Sequence, residues 1–302
     1  MTGILELNKT YAIAGQLEFK QGTNGFVLAA VTNEQATAEI ALQGAQVLNW
    51  SPLQHKPVIW LSPEANFVAG KSVRGGIPIC WPWFGPNEDN PEFPSHGYAR
   101  TIDWNVIKTE AIPDGRTRLV FSLSENSATQ QLWPDKTAVQ LSITVGETLE
   151  LALQTQNLQD ATISLTEALH TYFTIGDIDQ VSVLGLEDTE YLDKVAGGQR
   201  KLQQGPVTIR SEVDRVYLGT RAECIIEDPV LRRKIHISKR GSDSTVVWNP
   251  WVDKAAKLGD MGETGYRHML CVESANAAED IVTIAPGDSH ELWVSYRVES
   301  RP

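Results

Sequence analysis

The chain has 302 residues, 41% of them hydrophobic and nine of them tryptophan, enough apolar side chain for one large core. Its formal net charge of −12 argues against a nucleic-acid or anionic-membrane partner, and an anionic ligand would need a local cluster of cations to be held. Cys80, Cys224 and Cys271 are widely spaced with no CxxC pair, which fits a reducing compartment and neither a disulfide framework nor a zinc site. The opening MTGILELNKTYAIAG has no basic or long apolar region of a signal peptide, and no stretch approaches the roughly 20 apolar residues of a membrane span. A cytoplasmic location is expected.

The first unusual segment is 74–85, RGGIPICWPWFG. Pro78 and Pro82 remove ladder donors and the paired glycines weaken any regular element, so an irregular segment lining a concave site is expected. In FPSHGYAR, His96, Tyr98 and Arg100 share one strand face, where a structural Arg–Tyr pair is the plain alternative to a site. The runs 117–125 and 138–157 alternate apolar with polar residues, the second divided by Gly146-Glu147 as a hairpin turn. The run 161–173 alternates too. It puts Ile163, Leu165 and Leu169 on one phase, and Thr166, Ala168, His170 and Tyr172 on the more polar one.

Beyond it, Asp214 stands between Glu212 and Arg215, where a local ion pair explains it as well as a site does. The run 222–239 breaks at Asp228-Pro229. Segment 251–260 is the best helix candidate, one or two turns ending at Gly259. HMLCVESAN (268–276) is apolar on both faces, the pattern of a buried central strand. Its carboxylate, Glu273, faces a partly dry space in that reading, where desolvation raises its pKa and makes it a better base near neutral pH. The last run, 280–299, turns at Pro286-Gly287-Asp288 as a further hairpin. His55, His236, His268 and His290 fall in turns or exposed strands without acidic or aromatic company.

Many strands, short turns and no linker or repeat predict an all-β chain: one large antiparallel β-sandwich domain spanning 1–302 with few short helices. No HxH with a downstream Glu, GxSxG, GxGxxG after a strand or GxxxxGK[ST] occurs, which removes the usual signatures of cupin metal sites, nucleophile elbows and nucleotide loops.

Six segments in fixed order (SVRGGIPICWPWFG, HGYAR, ALHTYF, VDRVY, VVWNPW and CVESAN) resemble the hexose-6-phosphate 1-epimerases, the YeaD-like branch of the aldose 1-epimerase (galactose mutarotase) superfamily. The resemblance extends from about residue 44 to residue 296 and implies a β-supersandwich with an open concave face for a sugar. It implies His170 as general acid and Glu273 as general base. Asp214 is then a ligand of sugar hydroxyls, Arg74 and Arg100 are the arginines for the 6-phosphate, and His96 lines the site. Ser95 stands where many members have Gln, and is expected to reach the ligand with a shorter side chain.

On that resemblance the glycines after Arg74 let backbone approach a ligand, Arg74 offers a fork to phosphate oxygens, and Trp81, Trp83 or Phe84 supplies a face for the sugar or packs beneath it. Glu273 as carboxylate takes the C1 hydroxyl proton, His170 as imidazolium protonates the ring oxygen, and the ring opens and recloses as the other anomer. Neither metal nor organic cofactor is needed, the partner is a small-molecule hexose 6-phosphate, and nothing in the sequence requires more than a monomer. The competing readings are a non-catalytic sugar-phosphate binding protein, a mutarotase of free hexoses and, more distantly, a metal-dependent cupin isomerase.

Overall fold

Strict alternation decides most of the architecture. In the computed structural model, which describes residues 3–124 and 126–301, strand Thr148–Asn157 buries Leu149, Leu151 and Leu153 and turns the intervening residues outward. Its neighbour Ser289–Ser300 does the same with Leu292, Val294 and Tyr296. Full burial of each such side chain is worth about 1.5–3 kcal/mol, so this shared phase sets which face of the sheet turns inward. Among the described residues these two strands are the centre of a nine-stranded antiparallel sheet running from Val207–Thr208 at one edge to Trp104–Ala111 at the other. The last residue of the predicted 117–125 run lies outside the described residues; the strand is Thr117–Leu123.

A second, eight-stranded sheet packs on the first, and alternation fails there for a physical reason. Strands Ser244–Asn249 and Met269–Asn276 are buried at every residue. One face (Val247, Leu270, Val272) joins the core shared with the nine-stranded sheet. The opposite face (Val246, Trp248, Met269, Cys271, Ala275) joins a separate cluster with Tyr172, Ala168, Cys80 and Trp60. A strand buried on both faces reads as a continuous apolar run. That second cluster is the floor of the concave face.

The turns sort into hits and one correction. Val145 pairs with Leu149 across Gly146-Glu147, and Asp228 with Arg233 beyond Pro229, so both expected hairpins form. The helix is Trp251–Leu258, closed by Gly259 at φ 72°. Pro286-Gly287-Asp288 is not a hairpin: Val282–Ile284 pairs with Ile163–Leu165, whereas Ser289–Ser300 belongs to the nine-stranded sheet. The Gly287 and Asn157 amides donate to the Asn157 and Asp288 carbonyls respectively, so the turn docks on a third strand instead of closing on itself. Run 161–173 likewise divides into Ile163–Leu165, Glu167–Leu169 and Tyr172–Thr174, which take different partners. His170 sits in the break between the second and third. No helix among the described residues is long and apolar enough to cross a membrane.

The glycines after Arg74 let the chain run against the protein's own backbone. Gly75 and Gly76 lie at φ 103° and 70°, and a Cβ on Gly76 would stand 2.3 Å from the Val47 carbonyl oxygen. On Gly75 it would stand 2.6 Å from that of Trp60. Gly205, at φ 60°, has nothing within 4 Å of the same construction. Gly76→Ala should therefore cost about 3 kcal/mol or more, against about 1 kcal/mol for Gly205→Ala. Urea unfolding of the two variants checks this, and equal losses would remove the close approach as the reason for Gly76.

Candidate active site

The cavity over the concave face has a volume of about 300 Å³ and is lined by Ser72, Arg74, Phe84, His96, Arg100, His170, Tyr172, Asp214, Val246, Trp248, Lys254, Leu258 and Glu273. Strand register builds its floor. Cys271 is opposite Trp248 on one side and Tyr172 on the other, and Glu273, two residues on, projects from the same face. Asp214 is opposite Trp248 one strand further out. His170 is aimed by its backbone, whose N–H donates to the Pro78 carbonyl at 3.0 Å, and by its ring, which stacks on Tyr172 at 5.0 Å and 14°. The result is a contact of 3.4 Å between His170 Nε2 and Glu273 Oε1, with Glu273 1% exposed.

Burial controls the charges of this pair. It pushes the Glu273 carboxyl well above the usual carboxylate range, with the Asp214 charge adding to the effect and Arg100 opposing it. It holds the His170 imidazole well below its usual value, with His96, Arg100 and Arg74 adding to it. Both directions favour the uncharged form of each group, the opposite of the ionisation that the sequence reading gave the reacting pair. A dry floor disfavours two separated charges more than it disfavours a neutral acid beside a neutral base. One group still gives a proton and the other still takes one.

The wall carries the cations. Arg74 donates from Nε to Asp260 Oδ1 at 2.9 Å and from Nη1 to the Tyr172 hydroxyl at 3.0 Å, which fixes the guanidinium over the floor. Arg100 donates from Nη2 to the Ser95 carbonyl at 2.8 Å, and its buried Nε has no partner among the described residues. His96, at φ 66°, accepts the Gly85 amide at Nδ1, which assigns its proton to Nε2. Burial next to Arg100 and Arg74 lowers its pKa to about 3, so it is a neutral donor. Asp214 is half-buried, and burial raises its pKa while Lys254, 3.8 Å away, opposes the rise.

Six of the seven residues expected at the site (His170, Glu273, Arg74, Arg100, His96 and Asp214) meet in this cavity. Ser95 does not: it is exposed and contributes its carbonyl, which holds Arg100. Of the three aromatic residues left open, Phe84 lines the cavity. Trp81 and Trp83 pack beneath, their indole N–H groups donating to Thr155 Oγ1 and the Pro94 carbonyl. Tyr172, Trp248, Lys254 and Asp260 went unassigned in the sequence. The first two share the phase of His170 and the apolar pattern of the central strands, but only cross-strand register reveals their place. Two histidines read as lacking acidic company have it: His236 lies 3.1 Å from Glu299, and His290 lies 3.3 Å from the fully buried Glu167. Neither lines the cavity.

A carboxyl and an imidazole in contact under a cationic wall suit proton transfer on an anionic polyhydroxy ligand. The family model "Aldose 1-epimerase" matches residues 28–297. An Escherichia coli K12 protein named "Putative glucose-6-phosphate 1-epimerase" is 38% identical over 275 residues, 91% of each chain. A Cenchrus ciliaris protein of the same name is 35% identical, covering 83% of this chain and 78% of its own. The solved structure described as a "putative mutarotase (YeaD)" from Salmonella typhimurium superposes with a TM-score of 0.90 over 96% of both chains at 33% identity. The fold and the match along nearly its whole length make this chain an isomerase of the aldose 1-epimerase family.

Proposed function

We propose that this chain interconverts the α and β anomers of hexose 6-phosphates, glucose 6-phosphate foremost, with His170 and Glu273 as the acid–base pair and Arg74 and Arg100 as the phosphate ligands. The observation that carries this is the sharing of one cavity: the pair lies on its floor and both guanidinium groups lie on its wall. The names of the E. coli and Cenchrus relatives support the same substrate.

The two groups stand side by side, which suits a hemiacetal because the ring oxygen and the C1 hydroxyl oxygen share one carbon. A bound C1 hydroxyl donating to Glu273 favours its carboxylate, and the proton passes to His170 across the 3.4 Å between them. Glu273 then takes the hydroxyl proton while His170 protonates the ring oxygen, and the C1–O5 bond opens to the aldehyde. Rotation about C1–C2 and reversal of both transfers close the other anomer. Asp214 and the neutral Nε2–H of His96 hold hydroxyls, and Phe84 and Trp248 flank the sugar. Three free, buried thiols support a reducing, cytoplasmic compartment as its place of action.

His170→Ala and Glu273→Gln should each remove at least about a hundredfold of the exchange rate, the usual contribution of a positioned acid or base. Anomer-resolved NMR exchange measures this, and a folded variant of either kind with near-normal rates would reject the pair.

The phosphate is tested by a ratio. A dianion approaching a chain of net charge −12 is repelled at long range, so its affinity must come from directed contacts worth about 1.5–3 kcal/mol each. Arg74→Ala and Arg100→Ala should each lower kcat/KM for glucose 6-phosphate by about tenfold to a hundredfold and leave that for glucose nearly unchanged. A wild-type ratio near one, or a ratio that neither substitution lowers, would make the protein a free-sugar mutarotase with structural arginines.

A further inference from the structure

Beneath the floor of the cavity lies a buried thiol that the proton chemistry does not use. Cys271 lies two residues before Glu273 on the same face of the same strand and directly across from Tyr172, beside which His170 is stacked. One ring nitrogen of His170, the Cys271 sulfur and a Glu273 oxygen all lie within 4.8 Å of one another. Spacing along the sequence hid this group, because its members come from two regions of the chain.

We infer that His170, Cys271 and Glu273 form an inhibitory site for a thiophilic divalent ion of the Zn²⁺ type, whose occupancy excludes sugar turnover. The donor set is one nitrogen, one sulfur and one oxygen, which suits zinc or cobalt and not magnesium or calcium, whose shells are all oxygen. Bond lengths of about 2.0–2.3 Å place the ligand atoms of a tetrahedral ion roughly 3.3–3.7 Å apart. The His170–Glu273 contact of 3.4 Å already has that span, and the Cys271 sulfur lies within 4.8 Å of ligand atoms of both. Ligation by Nε2 and Oε1 would replace the contact between them, while Glu273 Oε2 and His170 Nδ1, buried without hydrogen-bond partners, would lose none.

Two anionic ligands offset the ion's charge, against the opposing Arg74 and Arg100 guanidinium groups on the wall. Thiolate and carboxylate together cancel a doubly charged cation, and a neutral assembly is what a dry floor accepts. The ligating forms are the thiolate, the carboxylate and the neutral imidazole, so protons leave to solvent as the ion binds. Because the ion occupies the lone pairs of both proposed catalytic groups, it stops proton transfer and competes with the sugar.

The experiment uses Co²⁺ as a spectroscopic probe and Zn²⁺ as inhibitor of the purified full chain. The expected result is one tight Co²⁺ per chain with a thiolate-to-cobalt charge-transfer band in the near ultraviolet. The band should be lost in Cys271→Ala and Cys271→Ser and kept in Cys80→Ala. Zn²⁺ should inhibit glucose 6-phosphate anomer exchange competitively, with an apparent inhibition constant at least tenfold weaker in the Cys271 variants and full recovery in chelator. Absence of the band in the wild type, its persistence without Cys271, or activation by Zn²⁺ would overturn the assignment. The inhibition arm rests on the function proposed above and the band does not, so an inactive wild type would count against that function alone.

Discussion

A carboxyl group that is 1% exposed and an imidazole 3.4 Å away share one proton on the floor of a sheet, and the rest of the molecule makes that arrangement possible. Either group alone in such a place would cost more than an ordinary surface residue, because each would lose water without gaining a partner. Together they exchange the cost for a proton that moves at little expense. The environment that withholds charge from the resting pair is also the one that strengthens any hydrogen bond a sugar oxygen makes there. Stability and reactivity are set by the same desolvation.

Two packed sheets supply the dryness. The nine-stranded sheet covers one face of Met269–Asn276 with Leu270 and Val272 turned into the shared core. The other face gathers a second apolar cluster, in which Tyr172 and Trp248 flank the polar pair. An exposed strand could not raise the Glu273 pKa by desolvation, and a strand covered on both faces by protein could not admit a ligand. The concave face, closed beneath and open above, meets both requirements. Segment 74–85 closes the rim. Its glycines let the chain run against the Val47 and Trp60 carbonyls, and its tryptophans fill the space beneath, which leaves Arg74 and Phe84 at the mouth.

What could be read from the sequence follows from which interactions are local. Period-two runs, the Gly146-Glu147 turn and the Gly259 helix stop depend on neighbours in the chain and were legible. The turn at Pro286-Gly287-Asp288 also sets a glycine before an acidic residue, yet it caps Asn157 on another strand, a contact that the local residues do not announce. The site shows the same division. His170 and Glu273 stand in segments that resemble a family, and the buried-strand pattern around Glu273 already pointed to a raised pKa, but their mutual contact comes from cross-strand register. Ser95 was expected to act through its side chain and acts through its carbonyl. His290 has an acidic partner because a buried carboxylate from a distant strand lies beside it, a contact only the assembled sandwich makes.

The same distinction governs the charge balance. Net charge is a property of the whole chain and predicts repulsion of a dianion; recognition is a property of a few ångströms. Arg74 gives two of its donors to Asp260 and Tyr172, so a fixed guanidinium edge remains for the ligand at no further cost in side-chain order. Arg100 is held through the Ser95 carbonyl with its Nε unpaired. Lys254, 2.7 Å from Glu212, adds a third positive group at the opposite wall, where it faces Asp214 and tempers the charge nearest to Glu273. Anchoring cations with internal carboxylates reduces the attraction each offers at long range and raises the precision of each at contact. For the hexose 6-phosphates proposed above as substrates, which differ from one another by single hydroxyls, contact precision is the quantity that would separate one from the next.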